Sequence, residues 1–227
     1  MKKFFNTDNP FFSFFGKLAD AVVLHFLWLI CCLPVFTIGP ATIALYYVLM
    51  KEIRNEGKQY YRMYFRAFRE NFRQGILLGI IFVVVAAILV FTTFLYRNLY
   101  QEFEIAFMDG MSYITIGLLV VWIMLFTYAF ALFARFNNTV PKTLLNALLL
   151  MIRYIGWTFV MAVLFVTFYL LIIFLSRYLF ILIIPGYGFI ALVNSYILHR
   201  ILEPFAEKAM KEEEAQEAAE ESQELTD

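Results

Sequence analysis

Charge is scarce in this chain of 227 residues: Asp, Glu, Lys and Arg make up 16% of it, against 63% hydrophobic residues that a soluble domain of this size has no room to bury. Histidine and cysteine are scarcer still, with two of each. Cys31 and Cys32 are adjacent inside an apolar run. Small core residues are expected there rather than a strained vicinal disulfide or metal ligands, because no second Cys or His cluster completes a zinc site. HExxH, GxSxG and P-loop patterns are missing, and no pair of carboxylates lies within the apolar segments. The chain therefore reads as a non-enzyme, with no catalytic residue, cofactor or metal expected. Nucleic acid is not an expected partner either, since 18 basic and 18 acidic residues cancel.

What is abundant is apolar and aromatic surface: 19% of residues are Phe, Trp or Tyr, and the mean hydropathy is +0.75. That composition predicts an all-α, polytopic membrane protein. The longest apolar stretch, Ala21 to Met50, is free of charge apart from His25. As one straight helix it would be about 45 Å long, well beyond a hydrocarbon core of about 30 Å, so it must bend or fold back. The break is expected at Leu33-Pro-Val-Phe-Thr-Ile-Gly-Pro40. Pro34 and Pro40 each lack an amide hydrogen and disfavour helix in the preceding residue, and Gly39 tolerates unusual backbone angles.

Charge then sets the topology. Lys51 to Arg73 holds seven basic and three acidic residues, so this stretch is expected in the cytoplasm by the positive-inside rule. Two crossings by the Ala21–Met50 run place Lys2, Lys3 and Lys17 on the same side, with a second arm that is short or re-entrant. Within the basic stretch, residues 60–74 read as an interfacial helix: Tyr61, Tyr64, Phe65, Phe68 and Phe72 share one arc, and Arg62, Arg66, Arg69 and Arg73 form a stripe for lipid or partner docking.

Further spans are expected over Gly75–Leu95, Met111–Ala134, Ile155–Ser176 and Tyr178–Leu198, the last interrupted by Pro185-Gly186-Tyr187-Gly188. Gly75-x-x-x-Gly79 is a pattern that lets helices approach closely. Arg97 to Asp109 carries one basic and three acidic residues and suits an outer loop. Asn9-Pro10 starts the first helix, Phe11 to Phe15 suit the headgroup boundary, and Asn138 or Thr139 caps a second cytoplasmic helix over Lys142–Arg153. No cleavable signal peptide is expected in the opening residues. Asp20 and His25 lie near a helix end, where reaching water is commoner than a proton relay. Trp28, Trp122 and Trp157 are expected to face lipid or the interface.

The sum is one membrane domain over residues 1–204, of about six segments with two cytoplasmic surface helices and both termini inside. An acidic tail follows over 205–227; Ala206 to Asp227 holds nine acids and two lysines, leaving +7 on the remainder.

Several of these segments resemble one family. Leu27-Trp28-Leu29-Ile30 running into Leu33–Ala41, then Ala44-Leu45-Tyr46-Tyr47, the Phe65-Arg66-Ala67-Phe68-Arg69-Glu70-Asn71-Phe72 helix, and Ala134-Arg135-Phe136-Asn137-Asn138-Thr139 with Leu144–Ala147 are similar to the YesL-like bacterial membrane proteins (domain of unknown function 624). The likeness spans residues from about Phe5 to Pro204 and leaves out the acidic tail. The resemblance implies a bacterial cell-membrane location and an accessory role in carbohydrate uptake, because genes of that family often lie beside carbohydrate ABC importers. It carries over no catalytic residue. Two functions follow as expectations: an accessory or regulatory subunit that packs against a carbohydrate ABC transporter or a membrane sensor, or a small transporter whose substrate site is framed by the breaks at Leu33–Pro40 and Pro185–Gly188.

Overall fold

A computed structural model describes residues 10–56, 59–136, 138–174 and 186–224. Eight helices are present among them: α1 (Pro10–Cys31), α2 (Ile38–Ile53), α3 (Tyr60–Glu70), α4 (Phe72–Phe103), α5 (Ala106–Arg135), α6 (Val140–Arg153), α7 (Ile155–Phe174) and α8 (Gly186–Glu224). Asn9 and Pro185, expected to start the first helix and to interrupt the last span, lie outside the described residues, as does Asn137.

The break between α1 and α2 falls where proline chemistry puts it. Pro34 is extended (φ −78°, ψ 120°), a single 3-10 turn covers Val35–Thr37, and Gly39 and Pro40 enter the first turn of α2. The Thr37 hydroxyl lies 2.5 Å from the Cys31 carbonyl and 2.6 Å from that of Pro34, so a side chain satisfies acceptors that the end of α1 leaves over.

The element at the centre is α2. Gly39 to Tyr46, Val48 to Met50 and Glu52 are all buried, so the helix has almost no face left for solvent or lipid. It is enclosed by α1, α3, α4, α5 and α8. Where α2 meets α4 the backbones touch: a Cβ on Gly75 would sit 2.9 Å from Pro40 Cα, and one on Gly79 would sit 2.9 Å from Gly39 Cα. The GxxxG pattern is thus used, with Gly39-Pro40 as its partner.

α3 does more than lie at an interface. Its aromatic arc is divided, with Tyr64 fully buried and donating to the Ala41 carbonyl (3.3 Å) while Tyr61 and Phe65 face outward. Tyr64 and Phe68 pack toward α2 because their side of the helix is the one that abuts it. The four arginines stay on the surface.

α4 and α5 form a long hairpin. The expected outer loop is reduced to Glu104 and Ile105, with Glu104 in the left-handed region (φ 54°) closing α4 through its amide to Tyr100 O (2.8 Å). Phe82 meets Trp122, Phe126 and Phe130 along this pair, Trp122 Nε1 donates to Phe82 O (3.0 Å), and Thr93 donates to Thr115 (2.8 Å). Trp28 and Trp122 therefore point into the protein, and only Trp157 is exposed, contrary to the expectation for all three.

Of the about six expected segments, five long and one short or re-entrant, two or three are evident among the described residues. Among the described residues α4 and α5 are long and apolar enough to cross a membrane, and α6 with α7, bent by 96°, make a third if counted as one. The 16 residues of α2 extend only about 24 Å. The tip of the α1–α2 hairpin also rests on the first two turns of α4, at Gly75 and Gly79, and α4 continues to Phe103 for about 36 Å beyond. The second arm of the first hairpin, α2, is wrapped in protein along its length. The acidic stretch continues α8 as helix through Pro204 to Glu224.

Candidate functional site

Three groups of polar residues stand out in a chain this apolar. The first lies inside. His25 is 3% exposed, and its Nδ1 accepts the Gly188 amide hydrogen (3.2 Å), so the neutral ring carries its proton on Nε2. Trp28 stacks beside His25 (5.9 Å between centroids), packs on Tyr187 (4.8 Å) and donates from Nε1 to Thr42 (3.1 Å). The Tyr46 hydroxyl is 3.4 Å from that of Tyr187, and Thr127 and Asn194 face it from α5 and α8. The network stitches α1, α2, α5 and α8 together in an otherwise apolar core.

Glycines of both interrupted segments are packed tightly, those of the second on this network. A Cβ at Gly39 would overlap the Gly75 carbonyl, and one at Gly186, itself at φ +36°, would overlap the His25 ring. At Gly188 it would approach His25 Cβ to 2.6 Å. Of the expected breaks, Gly39, Pro40 and Gly186 lie at tight helix contacts and Pro34 is exposed. His25, expected to reach water near a helix end, is instead buried against Gly186 and Gly188. Tyr46, Tyr187 and Asn194 were not anticipated; the available signal was an isolated amide and phenol at buried-face spacing in otherwise apolar helices.

The second group sits where α2 leaves the apolar run. Glu52 is fully buried, one residue beyond Lys51, and neither carboxylate oxygen has a hydrogen-bond partner among the described residues. Asp20 and Tyr60 are close by, and Lys17 donates to the Ile53 carbonyl (3.4 Å). Burial pushes the Glu52 carboxyl up to about 8, Asp20 adds to the rise, and Lys17 opposes it. A raised folded value means the folded chain holds a proton that the unfolded chain gives up. Stability is full below the ordinary 4.5 and falls as pH climbs through about 8. Thermal unfolding in detergent should therefore show a decline on the order of 2 kcal/mol or more across that window, and Glu52→Gln should flatten it. An unchanged slope in Glu52→Gln would assign the decline to another group.

The third group is at the surface. Arg69, Glu70, Asn71, Phe72, Arg73 and Gln74 from the α3–α4 corner face Phe133, Asn138 and Thr139 across a recess of about 770 Å³. Of the predicted arginine stripe, Arg66 is engaged by Glu70 (2.8 Å), whereas Arg69 and Arg73 form no ion pair among the described residues. Next to it, Tyr61, Arg62, Phe65 and Arg66 border a shallower hollow of about 540 Å³. Asn138 and Thr139, read as caps, place no side-chain cap on α6; Thr139 is the N-cap residue by position alone. Away from these groups, Arg135 to Glu203 (3.6 Å) with His199 to Glu203 (3.0 Å) ties α5 to α8.

Neither the curated proteins nor the solved structures include a match to this chain. A family match exists for the part of the chain that contains the break, the buried helix and the glycine crossing. Residues 21–93 match the family described as "Protein of unknown function, DUF624", and the chain carries a DUF624 domain over that stretch.

Proposed function

We propose that this chain is a non-enzymatic integral membrane protein that serves as an accessory or regulatory subunit. The observation that carries the reading is that the glycines of both interrupted segments, Gly39 in the first and Gly186 with Gly188 in the second, are packed against protein. Discontinuous helices that bind a substrate keep their irregular backbone against a cavity. Here Gly39 is closed by Gly75 and Gly79, and Gly186 and Gly188 are closed by His25. This favours a scaffold over the transporter that the same breaks suggest in sequence.

The partner-facing surface in this reading is the outer edge of α3. Tyr61 and Phe65 are 52% and 46% exposed beside Arg62 and Arg66. Tyr and Arg side by side on an open helix face are the residue types that dominate protein interfaces. Association with carbohydrate uptake, with an ABC importer or a membrane sensor as partner, rests on the family resemblance alone.

Mild-detergent pull-down from native membranes is the test. The expected result is co-recovery of an integral membrane partner, weakened by the double change Arg62→Gln, Arg66→Gln and weakened further at high salt. That change leaves five basic residues in Lys51–Arg73, so orientation is retained. Recovery of the chain alone, together with sugar flux in proteoliposomes, would establish the transporter instead.

A further inference from the structure

We infer that the recess between the α3–α4 and α5–α6 corners is a binding site for the phosphate of an anionic phospholipid. The argument begins with its walls. Arg69 and Arg73 line it without an ion pair among the described residues, and the one acid on the rim, Glu70, is already held by Arg66 at 2.8 Å. Asn71, Gln74, Asn138 and Thr139 supply neutral donors around the same space. Guanidinium groups suit phosphate because their planar donors meet two oxygens at once.

The arginines carry the charge by themselves. α4 begins at Phe72 and α6 at Val140, but α3 ends at Glu70 and α5 at Arg135 at the same corners, so the opposed helix ends offset each other. Asn71 directs its amide nitrogen back to the Ala67 carbonyl (2.9 Å) rather than capping α4.

Position selects a lipid over a soluble ion. The recess opens at the start of α4, a helix long and apolar enough to cross a membrane by itself. Just past its wall, Leu77 and Ile80 are 53% and 45% exposed, and the apolar surface continues up the helix through Val84 and Ile88. A headgroup in the recess therefore has its acyl chains lying against that continuous surface. This site does not depend on the accessory reading, which uses the other edge of α3.

The test uses the full chain in nanodiscs of phosphatidylcholine with a minor fraction of phosphatidylglycerol, and native mass spectrometry to count the phosphatidylglycerol retained. Each arginine near an anionic surface is worth up to about fivefold in affinity, so Arg69→Gln with Arg73→Gln should weaken retention about tenfold or more. The double change Lys51→Gln, Arg62→Gln removes the same charge outside the recess, leaves Arg66 on Glu70, and should keep retention within about twofold of the parent. Arg69→Lys with Arg73→Lys keeps the charge, guards against a folding defect, and should restore most of the loss. Equal loss in both Gln pairs would reduce the effect to diffuse surface charge, and no loss in either would leave the recess without a lipid; both results overturn the site. Displacement of the lipid by inorganic phosphate at matching concentration would overturn the lipid assignment and make the recess a phosphate site.

Discussion

Gly39→Val should be the most damaging single substitution in the chain. Any Cβ at this position collides with the Gly75 carbonyl, and the third nearest atom, Gly79 Cα at 3.1 Å, is also backbone. A side chain can swing away from a new neighbour; two helix backbones can only separate. Separation opens the α2–α4 crossing around which Leu78, Phe82 and Ile43 are buried, so the cost is expected at about 3 kcal/mol or more, at or above the top of the overpacking range. Gly117→Val is the matched control, because a Cβ on Gly117 meets nothing within 4 Å. Thermal unfolding in the same detergent should show a large drop for Gly39→Val and little for Gly117→Val. Equal behaviour would mean that the two helices part freely at this crossing.

The second large effect is in accessibility. With Cys31 and Cys32 removed, single cysteines at Glu56, Glu104, Glu213 and Val35 report the path of the chain. Charge places Glu104 outside and Glu56 and Glu213 inside, so an impermeant thiol reagent added from outside should label only Glu104→Cys. Val35→Cys is the informative position. Leu33, Val35 and Phe36 are 80%, 62% and 52% exposed, yet they belong to a tip that leans on the early turns of α4. Apolar, uncovered and shallow, the tip is expected within the hydrocarbon of the cytoplasmic half of the bilayer. Val35→Cys should then resist impermeant reagent from either side and react with a small permeant one. Labelling from outside would restore the two complete crossings that the charge pattern suggested.

The break at Leu33–Pro40 was legible because proline and glycine act locally: the lost donor, the restricted neighbour and the missing Cβ need no tertiary context. The existence of α4, α5 and the perpendicular α6 was legible for a similar reason, since long uncharged runs and Asn-Thr-Val-Pro boundaries speak for themselves. Burial of α2 was not. In an apolar sequence a helix that faces lipid and one that faces protein use the same residues, so hydropathy loses its power to tell outside from inside. The division of the α3 arc had the same cause, because Tyr64 and Phe65 are equally fit for an interface and a core. The recess could not be foreseen from spacing, as Arg73 and Asn138 are distant in sequence and meet only when two helix corners come together.

The enclosure of α2 bears on how such a chain is made. Its five neighbours are α1, α3, α4, α5 and α8, and the last of these starts at Gly186, well over a hundred residues after α2 ends at Ile53. During synthesis the Tyr46 face and the His25 ring must wait for Asn194, Tyr187 and the Gly188 amide to emerge. Until then the half-built bundle exposes phenol and imidazole to lipid, an unfavourable state that an insertion chaperone or quality-control protease is equipped to detect. Packing of α2 is thus expected to wait for α8: chains halted before Gly186 should remain protease-sensitive at α2, while released full-length chains become resistant.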